Sequence, residues 1–312
     1  LVHEESVITQ VPLERWDIKQ YYGDPSGQDN KTDCIFGAFI QGVSQFDPLH
    51  FGISPREAAL MDPQHRLLLQ ATWETLENAG YSKTALQGRR VGLFIGVEKC
   101  EYYDLIKESK IPADGYVNTG NTHSMLVNRV SNIFGWKGPS MALDTACASS
   151  FAALYEAIQY LRSGKIDYAL AGGVNLMLSP WTSIINRKLK MLTDEAVMRP
   201  FDKAASGHIS GEGLGLVFLK RANDAIRDGD HIHGILCGMA LEHGGKSMYL
   251  TAPNPVAHRD VILGALKDAG LEPKDIDYIE AQGTADLVTD KMELATYAQV
   301  YGKVMIGTAK GN

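Results

Sequence analysis

The segment from Gly138 to Ser150 reads GPSMALDTACASS and places a cysteine between two different hydrophobic patterns. Met141 to Leu143 suit the end of a buried strand. From Ser149 onward, Phe151, Leu154, Ile158 and Leu161 recur at helical spacing until Gly164. Cys147 therefore stands where a strand turns into a helix. Amide groups at a helix start are unpaired and carry partial positive charge, which favours the thiolate, the nucleophilic form. The small neighbours Ala146, Ala148, Ser149 and Ser150 leave room for a substrate. A second reading fits the same pattern, because free cysteine also packs as a small hydrophobe and Cys147 would then be a buried structural residue.

Other residues with chemical potential are less well placed. Cys34, Cys100, Cys147 and Cys237 lie far apart without paired spacing, which suggests neither a zinc site nor a disulfide framework. That usage points to a reducing, cytoplasmic compartment, where a catalytic thiol stays reduced. His65 falls in the first turn of an expected helix with no metal-binding partner spaced to join it, and reads as structural or surface. His231 and His233 share one face of an expected strand; without a third ligand they read as an exposed strand edge. The glycines of PFDKAASGHISGEGLGLVFLK precede a strand instead of following one and opening a helix. They mark a turn and strand entry, not a dinucleotide site.

Residues 1–50 have no sustained period and read as an irregular surface segment. A helix is expected from about Pro63 to Ala79, capped by Asp62 and stopped at Gly80, with Leu68, Ala71, Thr75, Leu76 and Ala79 on one face. Val91–Val97 is a short apolar run suited to a buried central strand. Tyr116–Asn132 reads as a polar turn leading into a helix. Tyr168–Met177 is a further buried strand, in which Gly172 and Gly173 suggest close backbone approach. Beyond LGLVFLK, the pattern predicts a buried strand at GILCGMALE and a helix from Asn254 and Pro255 to Gly270. A strand at Tyr278–Ala281, a helix over Asp290–Gly302 and a last strand at VMIGTAK follow. Alternating strands and helices predict an α/β protein with mainly parallel sheets, in two halves of similar outline.

The 312 residues are 45% hydrophobic and 21% charged, an ordinary composition for a globular protein with a full core. A formal net charge of -7 without a basic block argues against nucleic acid and anionic membrane surfaces as main partners. No apolar run is long enough to span a bilayer, and the start LVHEESVITQ has no signal-peptide pattern.

Many segments, in order, resemble the ketosynthase domains of modular polyketide synthases. They are VPLERWD, FDPLHFGISPREAALMDPQHRLLLQATWETLENAG, TGN with NRVSNIFGWKGPS, DTACASS, AGGVNLMLSP, RPFD, GEGLG, LTAPNP and IGTAK. The resemblance covers nearly the whole chain. It implies a single ketosynthase domain over residues 1–312 with a thiolase-like α/β fold: two duplicated halves with layered mixed sheets and buried central helices. The N-terminal half would run to about 220 and the C-terminal half over about 221–312. It further implies a homodimer in the cytoplasm, with acyl carrier protein domains and neighbouring synthase domains as partners. No cofactor or metal would be bound directly, the substrate being carried on the phosphopantetheine of the carrier.

Carried over residue by residue, Cys147 matches the acyl-accepting nucleophile. The family's first histidine opens an HGTGT motif; this chain has QGTAD, so Gln282 holds the histidine position. Thr284 matches the threonine that helps hold the pantetheine arm. Asp286 replaces the second threonine and adds a negative charge. Asp290 and Glu293 match the acidic pair that follows, although Thr289, Asp290 and Lys291 depart from the family's Gly-Asp-Pro. Lys310 matches the active-site lysine, and Glu212, in GEGLG, a supporting residue. The second histidine and the glycine-rich loop of the oxyanion hole are expected just beyond Asn312. Without them, the second half would be incomplete relative to the family and its sheet would have open edges.

A glutamine amide donates a hydrogen bond, but it cannot exchange a proton near neutral pH as imidazole does. The resemblance therefore implies acyl transfer onto Cys147 and relay without decarboxylative extension. Two further readings stand beside it: a chain-extending synthase that tolerates Gln282, and a non-enzymatic scaffold for carrier domains.

Overall fold

A computed structural model describes residues 6–112, 114–247 and 252–311. Leu250 and Thr251 of the LTAPNP motif lie outside the described residues. In chain order the elements are β1 (Ile8–Gln10), β2 (Phe36–Ala38), α1 (Pro55–Ala59), α2 (Pro63–Asn78), α3 (Lys83–Leu86), β3 (Val91–Gly96), α4 (Tyr102–Glu108), α5 (Gly115–Asn121), α6 (His123–Phe134) and β4 (Ser140–Leu143). Then come α7 (Ser149–Arg162), β5 (Tyr168–Asn175), α8 (Trp181–Lys188), β6 (Gly213–Lys220), α9 (Ala222–Asp228), α10 (Pro255–Ala269), β7 (Tyr278–Glu280), α11 (Leu287–Tyr301) and β8 (Met305–Gly307). They form two compact units. One comprises residues 40–178 and 212–235, the other residues 1–39, 179–211 and 236–312.

The unit built on residues 40–178 is organised by a four-stranded sheet of order β4-β3-β5-β6. β3 is its fully buried central strand, parallel to both β4 and β5. β6 runs antiparallel to β5, so the sheet is mixed, as the resemblance implied, while its β4-β3-β5 part is parallel. Strand alternation sends Val91, Leu93 and Ile95 into a core shared with α2 and α6, and Phe94 into a second core with Ala153 and Ala157 of α7. The sheet thus lies between α2 and α6 on one side and α7 on the other.

The helix punctuation read from sequence holds. Asp62 accepts the Gln64 N–H at the start of α2, and Gly80 follows at φ 76°. The buried face of α2 is broader than expected, because Gln64, His65 and Arg66 are buried in its first turn. His65 is 1% exposed, a structural histidine. The TGN segment is not a turn: it closes α5, where the Asn121 side chain donates to the Leu60 and Val117 carbonyls. On α7 the alanines Ala152, Ala153 and Ala157 are buried, whereas Phe151 is 63% exposed. Close packing on β3 selects small residues there.

In the other unit, β1 and β2 form a short antiparallel pair, and Trp16 between them is buried. The opening segment is therefore not all irregular surface. β7 and β8 pair in parallel. Asn254 caps α10 through the Val256 and Ala257 amides, and Gly270 ends it at φ 68°. GILCGMALE forms no strand. Within it the Met239 N–H donates to the Asp268 carboxylate of α10 at 2.9 Å, a side-chain acceptor in place of a strand partner. His231 and His233, upstream of it, also lie outside any strand. Their rings meet edge to face at 4.6 Å in an exposed segment.

Candidate active site: two clamped loops

The Cys147 loop is a tight elbow between β4 and α7. Asp144 Oδ1 accepts the Ala146 N–H at 2.9 Å, and Ala146 takes the left-handed φ of 53°. The Ser149 hydroxyl then locks the turn: it accepts the Thr145 N–H at 2.9 Å and donates to the Ala146 carbonyl at 2.6 Å. Ser149 is buried while Cys147 is exposed, so the thiol stands at the surface of a braced turn. This excludes the reading of Cys147 as a buried structural residue. α7 starts without a side-chain cap, and its first amide, the Ser149 N–H, donates to the Ala146 carbonyl at 3.0 Å.

Glycines bring the elbow close to the sheet. A Cβ on Gly96 of β3 would stand 2.5 Å from the Ser149 carbonyl carbon, and one on Gly173 would stand 2.9 Å from Ser150 Cβ. A Cβ on Gly172 would meet the Gly215 carbonyl oxygen at 1.9 Å. The close approach read from Gly172 and Gly173 is therefore real. Ser149 and Gly96 were not singled out from sequence; their roles follow from contacts across the sheet.

Glu212, in the same unit, is committed to backbone donors. It accepts from the Ile40 N–H at 2.8 Å and the Met177 N–H at 3.1 Å, bracing the chain that leaves β5. The unit also carries an open groove of about 710 Å³ lined by Glu57, Asp114, Tyr116, Thr119, Met125 and Arg129. None of the sequence-predicted site residues lines it.

The other unit holds Gln282, Thr284 and Lys310 on and around one loop. The Glu293 carboxylate of α11 accepts the Gln282 N–H at 2.7 Å and the Gly283 N–H at 3.0 Å. Tyr297 donates its hydroxyl to the same carboxylate at 2.7 Å. Burial, then that bond, holds the Tyr297 phenol well above its usual range. Asp290 accepts from the Thr284 hydroxyl at 3.3 Å and from the Phe201 N–H at 2.7 Å. Both carboxylates are buried, at 4% exposure for Asp290 and 2% for Glu293. Such groups persist in a fold only when fully hydrogen-bonded.

Asp286 has a local use. It is the N-cap of α11, its carboxylate accepting the Val288 and Thr289 N–H groups. The helix thus begins before Asp290, where the sequence pattern placed it, and the added negative charge sits at the positive end of a helix. The Gln282 side chain is exposed. Lys310 is exposed too, after Thr308, which packs on Gly283. Among the described residues, no group of three His, Cys, Asp or Glu side chains is arranged to hold a metal, and no helix is long and apolar enough to cross a membrane.

Phe201 and His208 escaped the sequence reading. Phe201, in RPFD, lies over Gly283 at a left-handed φ of 60°. His208 adjoins Gly207, whose N–H bonds the Ala285 carbonyl at 2.9 Å. Gly207 at φ 115° is the only local hint in the SGHISGEG run that the chain turns onto another segment there.

Comparison with known proteins agrees with this architecture. Residues 1–225 match the beta-ketoacyl synthase N-terminal domain family, and residues 233–312 the beta-ketoacyl synthase C-terminal domain family. The chain is 43% identical over 287 residues to polyketide synthase PksN of Bacillus subtilis, covering 92% of this chain and 5% of that protein. It is also 43% identical over 296 residues to a phenolphthiocerol/phthiocerol polyketide synthase of Mycobacterium tuberculosis, covering 95% of this chain and 16% of that protein. The chain thus spans a small fraction of the length of these relatives. The ketosynthase from module 6 of the Bacillus subtilis bacillaene synthase superposes with a TM-score of 0.90 at 34% identity, covering 100% of this chain and 53% of that one. An oxazolomycin ketosynthase domain from Streptomyces albus does so with a TM-score of 0.90 at 33% identity, covering 97% of this chain and 53% of that one. With two matched family domains and a thiolase-like α/β fold, the chain belongs to the beta-ketoacyl synthase family, in its polyketide synthase ketosynthase branch.

Proposed function

We propose that this ketosynthase accepts an acyl chain from the phosphopantetheine arm of an acyl carrier protein onto Cys147 and relays it without decarboxylative extension. One observation carries the reading: Glu293 and Asp290 fix the QGTAD loop, yet the side chain presented at the family's histidine position is Gln282. Thioester exchange needs a thiol nucleophile and donors for the oxyanion. The Cys147 sulfur forms the new C–S bond, the pantetheine C–S bond breaks, and the thiol proton passes to the departing thiolate. Decarboxylative condensation needs more: charge develops on the malonyl thioester oxygen, and the Gln282 amide can donate a hydrogen bond but cannot exchange a proton as imidazole does. Loss of an acid–base group costs on the order of a hundred- to a thousandfold in rate.

In this reading Thr284 contacts the pantetheine arm, and Lys310 and Glu212 support the site. The partners are carrier domains, neighbouring synthase domains and a second copy of the chain, in the cytoplasm. No cofactor is bound directly. The test is intact-protein mass spectrometry with acyl-carrier donors, alongside a CO2 assay with malonyl-carrier protein. The reading expects an acyl mass on the wild type, none on Cys147→Ala, and no CO2 release above background. An unacylated wild type, or CO2 release with chain lengthening, would overturn it.

A further inference from the structure

β4, β3 and β5 run parallel, so their first residues line one edge of the four-stranded sheet, and Cys147, past the end of β4, lies at the opposite edge. Three segments enter these strands: residues 79–90, 135–139 and 163–167. Together they carry five basic side chains, Lys83, Arg89, Arg90, Lys137 and Lys165, and one acid, Asp167. All five bases are exposed. In a chain of net charge -7 that bias is local, not general.

Backbone bonds hold the three segments together. The Lys137 N–H donates to the Arg89 carbonyl at 3.0 Å, and the Gly88 N–H to the Gly135 carbonyl at 2.8 Å. The Asp167 N–H donates to the Arg90 carbonyl at 3.0 Å. The Arg90 guanidinium reaches back to the Gly164 and Lys165 carbonyls at 3.2 and 3.3 Å. Lys83 Nζ stands 5.8 Å from the centre of the Phe134 ring at the end of α6, and Lys165 Nζ 5.4 Å from that of Tyr160 on α7.

The acids of this edge are already paired. Asp167 meets Arg90 at 3.1 Å and Arg221 at 3.2 Å. Where β6 ends beside the start of β5, Lys220 pairs with Asp228 and Asp230 at 2.6 Å each, and Arg221 and Arg227 both hold Asp224 at 2.6 Å. Lys83, Arg89, Lys137 and Lys165 make no salt bridge among the described residues.

We propose that this edge is a docking surface for a carboxylate-rich helix of a protein partner, with Lys137, Arg89 and Lys165 meeting its acidic face. The spacing favours such a partner. Lys137, Arg89 and Lys165 precede three neighbouring strands in the order β4-β3-β5. Strand starts about 4.8 Å apart set them in a row about 10 Å long. Carboxylates at i and i+4 of a helix stand about 5–6 Å apart and match that row. A duplex nucleic acid or an anionic membrane would extend past the patch and meet the net negative charge of the rest of the chain. The surface lies away from the Cys147 edge and does not depend on the acyl-transfer reading.

The test uses a fluorescein-labelled, alanine-based helical peptide with Glu at every fourth position. At low salt it should gain fluorescence anisotropy with the full chain, whereas the same peptide with Gln in place of Glu should not. Arg89→Glu combined with Lys137→Glu should weaken binding about tenfold, as expected for two reversed charge pairs at an exposed surface. Lys267→Glu combined with Lys303→Glu makes the same change in net charge at exposed positions elsewhere, and should stay within about twofold of wild type. Carbodiimide coupling of the Glu peptide to wild-type protein needs no variant, and peptide mapping should find it joined to Lys83, Lys137 or Lys165. No binding of the Glu peptide, equal losses in the two double variants, or coupling confined to other lysines would each overturn the proposal. Tighter binding of duplex DNA or phosphatidylglycerol vesicles than of the Glu peptide would overturn the choice of partner.

Discussion

Glu293 holds the backbone of Gln282, not its side chain: the Gln282 N–H meets the carboxylate at 2.7 Å while the amide side chain lies exposed. The loop is therefore fixed through its main chain whatever residue occupies the position. This separates the architecture of the site from the chemistry presented on it.

Gln282→His should be tolerated by the fold and should change the chemistry. The clamp on the main chain persists, so the thermal midpoint should move by no more than about 2 °C, as for a surface substitution. Decarboxylation of malonyl-carrier protein, measured by CO2 release, should rise on the order of tenfold or more as an imidazole returns. No rise would mean that condensation is blocked elsewhere.

Glu293→Ala should be strongly destabilising. It leaves the Gln282 and Gly283 amides and the Tyr297 hydroxyl without their shared acceptor in a site where Glu293 is 2% exposed. A cost of about 3 kcal/mol is expected by denaturant unfolding, and Glu293→Gln should recover part of it.

Ser149→Ala should loosen the Cys147 elbow. It removes the acceptor for the Thr145 N–H and the donor to the Ala146 carbonyl. About 1–3 kcal/mol of stability should be lost, and alkylation of Cys147 by iodoacetamide should change in rate while Cys237, also exposed, reacts as before. An unchanged Cys147 alkylation rate would count against the bracing role.

Asp286→Ala should cost about 1 kcal/mol through loss of the α11 cap. Asp286→Asn should keep most of that stability, because the amide oxygen still accepts from the helix amides. Helix content and unfolding midpoints of the two variants check the difference.

His65 should make stability fall in acid. Burial, then the charges of Arg129, His123 and Arg66, pulls its pKa from 6.5 down to about 3. Below pH 6.5 the unfolded chain takes up a proton that the folded chain refuses, so stability is lost as pH falls, at about 1.4 kcal/mol per unit. The effect levels off near pH 3, where the folded state is also protonated. His65→Gln should remove roughly 2 kcal/mol of the stability difference between pH 6.5 and pH 5. An unaltered difference would assign the acid sensitivity to other groups.

Sequence alone determined the elements that local chemistry writes into the chain. Asp62 and Pro63 opened α2, Asn254 and Pro255 opened α10, and the apolar run at Val91–Val97 gave β3. The strand–cysteine–helix order around Cys147 and the QGTAD loop with its acidic pair were equally legible, because both are short and contiguous. Tertiary structure decided which contacts those pieces make. GILCGMALE has the composition of a strand, but pairing depends on a neighbour that composition does not specify. Asp286 read as an intruding charge until the helix start showed amides for it to accept. Ser149, Gly96 and Glu293 matter because residues far apart in the chain converge within hydrogen-bonding or van der Waals distance. A linear pattern encodes period and capping, while the partners of a buried carboxylate or the fit of a glycine against another backbone exist only once the chain has closed on itself.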